Sequence, residues 1–225
     1  MIRHLVIAAG FICCLAAGGE AQTGATPSGI EVAGGAGLFF GGGLGTRDAN
    51  LRANSVTPTP YRLFTTTTSF GAAPLVEARA AIGLSRRFAV EGRFGFNRPE
   101  LRTSVSSDAE QGNPITAVER IDHYMVDASV LLFLDRLRWR DLIPFAAAGG
   151  GYVRQLHEGH TLVEDGHSYH VGGGVRRRLF VDDRRFVKSA GVRGDARAYL
   201  LSSGATVDTK TRARVVVSGA LFVGF

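Results

Sequence analysis

Between Arg212 and Phe225 the chain reads RARVVVSGALFVGF, and its apolar residues fall on alternate positions. Counted back from the end, Phe225, Val223, Leu221, Gly219, Val217, Val215 and Ala213 form one uncharged row. Gly224, Phe222, Ala220, Ser218, Val216 and Arg214 form the other. A period of two sends successive side chains to opposite faces of a sheet, so this segment is a strand with one apolar face. The same pattern recurs upstream with ions on the second row. Val76, Ala78, Ala80, Ile82 and Leu84 alternate with Glu77 and Arg79, and Phe88, Val90, Gly92, Phe94 and Phe96 alternate with Glu91 and Arg93.

None of these runs can cross a membrane as a helix. Beyond residue 21 the longest uncharged apolar runs are 142–153 and 215–225. Both fall short of the roughly 20 residues that a spanning helix requires, yet suit a tilted membrane strand of about 9–11. Hydrocarbon tolerates only helices or closed barrels, because an open sheet edge leaves backbone groups unsatisfied. In a membrane this chain must therefore be a barrel.

Residues 1–21 read as a secretory signal. Arg3 and His4 precede an apolar run from Leu5 to Ala17, and Gly19 and Ala21 occupy the −3 and −1 positions of a cut before Gln22. The mature domain is then 22–225. Cys13 and Cys14 both lie in the signal, so the mature chain carries no thiol for a disulfide, a zinc site or a nucleophile. The net charge of +6 survives the cut, because Arg3 and Glu20 leave together. The arginines are spread along strands rather than gathered in one stretch, which argues against a nucleic-acid partner.

The periodicity predicts eight strands: Ile30–Phe40, Leu75–Ser85, Phe88–Asn97, Glu119–Leu134, Leu142–Leu156, His167–Phe180, Phe186–Leu201 and Arg212–Phe225. The connections alternate, long and polar after odd strands and short after even ones. The long ones are expected to be loops, with turn-prone Thr57–Pro60 in the first and strand character over Thr65–Phe70. The fold class is all-β, an eight-stranded antiparallel up-and-down transmembrane barrel, with the short turns and both mature ends on one side. Phe88, Phe96, Tyr124, Phe133, Phe145, Tyr169, Phe180, Phe186, Tyr199 and Phe225 lie near strand ends, as interfacial girdles do. The facing of Leu142–Leu156 is open, because Ala146–Gly151 is nearly featureless; Arg154 favours Phe145 and Val153 outward.

The last strand resembles the C-terminal strand of bacterial outer-membrane barrels, in which a polar residue precedes hydrophobics two apart and a terminal aromatic. Ser218, Leu221, Val223 and Phe225 supply that pattern, with Ala220 where the family prefers Gly. With eight strands, the mature chain is similar to small barrels of the outer-membrane-protein-A or W type. The resemblance implies a bacterial envelope location, outer-membrane lipids as surroundings and insertion by the barrel-assembly machinery. A soluble eight-stranded carrier, apolar inside and polar outside, shares the periodicity.

On the membrane reading Glu31, Glu77, Arg79, Glu91, Arg93, Asp127, Arg154, Arg176, Arg193, Asp195, Arg197 and Arg214 point inward. Eight strands enclose only enough space for side chains, so the opposed charges should form a paired plug. The inferred role is structural or surface-interacting, with an extracellular ligand of the outer loops as the partner and a narrow solute conduit as alternative. His157, His160, His167 and His170 are a weak metal candidate, since imidazole suits zinc, copper or nickel. No cofactor is expected. A lipid-modifying enzyme would draw on Ser168 and His170, two apart on one face. Gly41–Gly45, Gly149–Gly151 and Gly172–Gly174 lack the Lys-Ser/Thr and helix of a phosphate loop and read as bends and packing recesses.

Overall fold

The structure, a computed structural model, describes residues 29–51, 61–108, 115–158, 162–182, 184–203 and 212–225. The signal segment, both cysteines and the Thr57–Pro60 run lie outside them.

Twelve strands are formed by the described residues: β1 Ile30–Phe40, β2 Gly42–Leu51, β3 Tyr61–Phe70, β4 Ala73–Gly83, β5 Phe88–Asn97, β6 Glu100–Ser106, β7 Ile115–Arg120, β8 Asp122–Phe133, β9 Ile143–Leu156, β10 Val163–Val181, β11 Ser189–Ser203 and β12 Arg212–Gly224. Eight of them close into an antiparallel barrel in the order β1-β12-β11-β10-β9-β8-β5-β4. Closure runs through β12: Val32 pairs with Val223 and Leu38 with Val217, so the last strand seals the first. Sealing matters because an exposed edge would present unpaired N–H and C=O groups to hydrocarbon.

The faces are inverted relative to a water-soluble barrel. Outward rows are apolar, with Val76, Ile82, Val126, Val171 and Leu221 each more than half exposed. Inward rows hold nearly all the buried ions. Exposing Val and Leu to water forfeits about 25 cal/mol per Å2 of apolar surface; exposing them to lipid costs nothing of the kind. The arrangement is that of a transmembrane β-barrel.

The long connections depart from expectation. Segments anticipated as loops contain β2, β3, β6 and β7, which form a second, four-stranded sheet in the order β2-β3-β6-β7. Only Thr65–Phe70 was expected to have strand character. Its Thr side chains are stiff and β-branched, favouring extended backbone, and Thr65–Thr68 pair with Asp48–Gly45 on one side and Ser106–Thr103 on the other. Leu44, Phe70 and Ile121, with Leu101 against them, form a small apolar foot where this sheet meets the barrel mouth.

Three expected girdle aromatics turn inward instead. Phe133, Phe145 and Tyr199 are buried inside the barrel, whereas Phe88, Tyr169, Phe180 and Phe186 are exposed at its outer face. Phe145 changes side because β9 faces opposite to the expected way. Ile143, Phe145, Val153 and Gln155 are inside, and Tyr152 and Arg154 are outside. Arg154 is thus no lumen residue. It is the register partner of Asp165 on the neighbouring strand, two residues from the loop end of β9, so an outward cation there has an opposite charge beside it.

Candidate functional site

The candidate site is the barrel interior. Its middle layer gathers four carboxylates, Glu77, Glu91, Asp127 and Asp195, with four guanidiniums, Arg79, Arg93, Arg193 and Arg197. Each carboxylate meets at least two arginines. Arg79 Nη2 lies 2.5 Å from Glu77 Oε1 and donates to Asp195 Oδ1 at 3.0 Å and Ser218 Oγ at 2.8 Å. Arg93 Nε donates to Glu77 Oε2 at 2.8 Å and its Nη1 to Asp127 Oδ2 at 3.2 Å. Arg197 bridges Glu91 Oε1 at 2.6 Å and Asp195 Oδ2 at 2.8 Å, while Arg193 pairs with the other Glu91 oxygen. Removing an ion from water costs several kcal/mol even after relaxation, so a dry cluster persists only with matched charge and filled hydrogen bonds. Four against four meets the first condition, and bridging carboxylates largely meet the second.

The residues reach this layer because they alternate along strands that face one another across a narrow bore. Arg79 and Asp195 are 116 positions apart in the chain. Glycines on neighbouring strands make room. Gly174 is the register partner of Asp195 and Gly172 of Arg197. A Cβ added at Gly174 would fall 2.6 Å from Asp195 Cβ, and one at Gly172 would fall 2.8 Å from Arg197 Cα. The Gly172–Gly174 triplet is therefore a recess for ionic side chains.

Apolar layers bound the ions on both sides. Towards the long connections lie Phe39, Leu75, Met125, Val153, Tyr199, Leu201 and Val216. Towards the short turns lie Ala89, Leu131, Phe133, Ile143, Phe145 and Ala147. Glu31 and Arg176 form a separate pair at 2.7 Å near the short turns. The Arg176 guanidinium sits 4.2 Å from the Phe222 ring centre and 5.3 Å from that of Phe133, a favourable cation–π placement. Arg214, at the opposite end, donates to the backbone oxygens of Ala213, Gly42 and Gly43 rather than to a carboxylate. It ties β12 to the foot of the second sheet.

Several partners in this network were not visible in the alternation. Ser218, expected as part of an assembly pattern, accepts from Arg79 and donates to Asp195 at 3.3 Å. Tyr199 donates to Asp127 Oδ2 at 3.2 Å and contacts Arg93. His170 shares a 2.8 Å hydrogen bond with Ser129, not with Ser168. Asp127 Oδ1 approaches that same His170 nitrogen at 3.9 Å, and the Nδ1 is buried without a partner. A carboxylate on the far nitrogen, which would orient the ring for proton transfer, is missing from this trio. Leu221, Val223 and Phe225 face outward. Phe225 stacks near Phe186 at 5.1 Å and its N–H donates to Ile30 O at 2.9 Å.

The histidines do not converge. His170 is inside the barrel, and His167 is outside against Tyr152. His157 shares a hydrogen bond with Glu119 at 3.0 Å; His160 lies outside the described residues. Among the described residues, no three His, Cys, Asp or Glu side chains are grouped to hold a metal ion.

No protein-family model matches the sequence, and no curated protein does. Among solved structures, the outer membrane protein OprG from Pseudomonas aeruginosa is similar over 89% of this chain and 95% of its own, at 8% identity and a TM-score of 0.49. The outer membrane protease OmpT from Escherichia coli is similar over 91% and 97%, at 9% identity and a TM-score of 0.36. On its own geometry, a closed eight-stranded sheet with ions enclosed and apolar rows outside, this chain is a transmembrane β-barrel with an internal network of buried salt bridges.

Proposed function

We propose that the protein is an outer-membrane barrel whose interior is a structural plug and whose outer four-stranded sheet is its working surface. The observation that carries this reading is the layering of the lumen. Four carboxylates balanced by four arginines are bounded above and below by apolar side chains, so a polar solute meets two apolar layers and a cluster in which every ion is paired. The soluble-carrier alternative requires the reverse, an apolar pocket and a charged exterior. Insertion by the barrel-assembly machinery, with Ser218, Leu221, Val223 and Phe225 as the recognised strand, belongs to the same proposal. So does removal of residues 1–21, which predicts Gln22 at the mature N-terminus.

Planar-bilayer recording of the refolded protein tests the plug. The expected result is no discrete conductance steps at neutral pH. Defined channels whose size changes when Glu91 or Asp195 is neutralised would establish a conduit and overturn the proposal. Heat-modifiable gel mobility and partition with the outer-membrane fraction test the location.

A further inference from the structure

Charge is divided unequally between the two ends of this barrel. The short-turn segments 84–88, 134–142 and 182–188 carry eight cations against four carboxylates in sequence. The long connections, 41–72, 98–121, 157–165 and 204–211, carry seven against nine. The up-and-down order brings the short turns together as a ring at one end, although they are far apart in the chain. One turn supplies Arg86 and Arg87, the next Arg136, Arg138 and Arg140, and the third Arg184, Arg185 and Lys188. Two of the four carboxylates are paired within the ring or beside it: Asp141 with Arg177 at 3.2 Å and Arg138 at 3.9 Å, and Asp182 with Arg185 at 2.9 Å.

The same ring is apolar at its rim. Trp139 is 70% exposed, Leu137 67% and Phe186 83%. The Arg140 guanidinium lies 5.9 Å from the Trp139 ring centre. Exposed aromatic residues interleaved with arginines in one turn are the combination that suits a bilayer interface, where rings sit at headgroup level and cations reach the phosphates. A soluble acidic partner would need no such greasy rim.

We propose that the short-turn end is a binding surface for anionic phospholipid headgroups, which hold it in the leaflet that surrounds it. The occupant follows from the chemistry: a phosphodiester bearing net negative charge answers guanidinium forks, and its acyl chains answer Trp139 and Phe186. The opposite end carries seven cations against nine carboxylates in sequence and so no net positive charge, which assigns the preference to one leaflet. This goes beyond the plug reading and rests only on the barrel lying in a bilayer.

Trp139 is the single tryptophan of the chain, so its fluorescence reports this site directly. The protein is refolded into phosphatidylcholine vesicles containing a small, equal fraction of chain-brominated phosphatidylglycerol or chain-brominated phosphatidylcholine. Attraction to an anionic surface amounts to about five-fold per engaged cation. Quenching by the brominated phosphatidylglycerol should therefore exceed that by the brominated phosphatidylcholine several-fold at low salt. The excess should collapse towards unity in high salt. It should also fall in the triple variants R136Q/R138Q/R140Q and R184Q/R185Q/K188Q with heat-modifiability retained. Equal quenching by the two lipids, or an excess insensitive to salt, overturns the inference without touching the plug. Quenching by neither lipid overturns bilayer insertion as well. Shielding of Trp139 by soluble polyglutamate, with no response to the anionic lipid, would assign the surface to an acidic polymer instead. Because the salt dependence is read on the unaltered protein, the test stands even if both variants fail to fold.

Discussion

The two sheets of this molecule solve the same problem in opposite ways. The barrel has no edges, because β1 pairs with both β4 and β12. The outer sheet is open, with β2 and β7 as edge strands that no further strand pairs with among the described residues, and it buries little beyond its apolar foot. In the barrel an ion is held by two or three partners with side-chain exposure of a few per cent. In the outer sheet the pairs are single and exposed: Thr65 Oγ1 to Asp48 Oδ1 at 2.6 Å, and Arg102 Nη2 to Glu100 Oε2 at 2.8 Å with side chains 57% and 40% exposed. Water screens the second kind and cannot reach the first. Equal chemistry should therefore carry very unequal weight in the two places.

The sharpest way to break that contrast is to remove one member of the buried cluster. Glu91→Ala removes the closest carboxylate of both Arg193 and Arg197 and leaves four guanidiniums against three carboxylates, and breaking a buried pair costs about 3–5 kcal/mol. Urea unfolding of the barrel refolded in detergent or lipid should show that loss. A loss below about 1 kcal/mol would mean that water already reaches the layer. Next in size is Gly174→Val, which drives a branched side chain into Asp195 and should cost about 1–3 kcal/mol by overpacking. Gly34 has open space where a Cβ would go, so Gly34→Ala on the outer face is the matched control, expected to change little.

The outer sheet supplies the smallest effect. The hydrogen bond and charge of Arg102 hold the Glu100 carboxyl below the usual carboxylate range. A depressed folded-state pKa contributes stability above the unfolded value, and this is lost as pH falls through the folded one. Arg102→Gln should move the Glu100 titration upward, read by NMR, while the unfolding midpoint of the barrel stays put. A midpoint that follows the Arg102 change would show the two sheets to be one cooperative unit.

Alternation alone set much of this molecule. Once a run such as Phe88–Asn97 places ions on every second position, both the strand and its facing follow, since a slip by one residue would move every arginine into oil. The inward placement of Glu77, Arg79, Glu91, Arg93, Asp127, Arg193, Asp195, Arg197 and Arg214 was legible for that reason. Where the pattern is silent, the sequence leaves the facing open. Ala146–Gly151 offers no large side chain to either face, and nothing in the row says how far along the strand the membrane extends, so the alternation alone points Arg154 inward although it faces out.

Three things were decided only by the tertiary structure. One is partnership: Arg79 meets Asp195 and Ser218 because of strand tilt and closure, which local periodicity does not encode. Another is the outer sheet, whose strands, only one of them Thr-rich, bury too little to show an amphipathic signal and become strands by pairing with each other. The third is the basic ring, invisible as a charge run because its members come from three separate turns. A period of two is a property of neighbouring residues and is written in the chain. Which strand stands across the bore, and which turns share an end, are properties of closure, and they exist only once the barrel is shut.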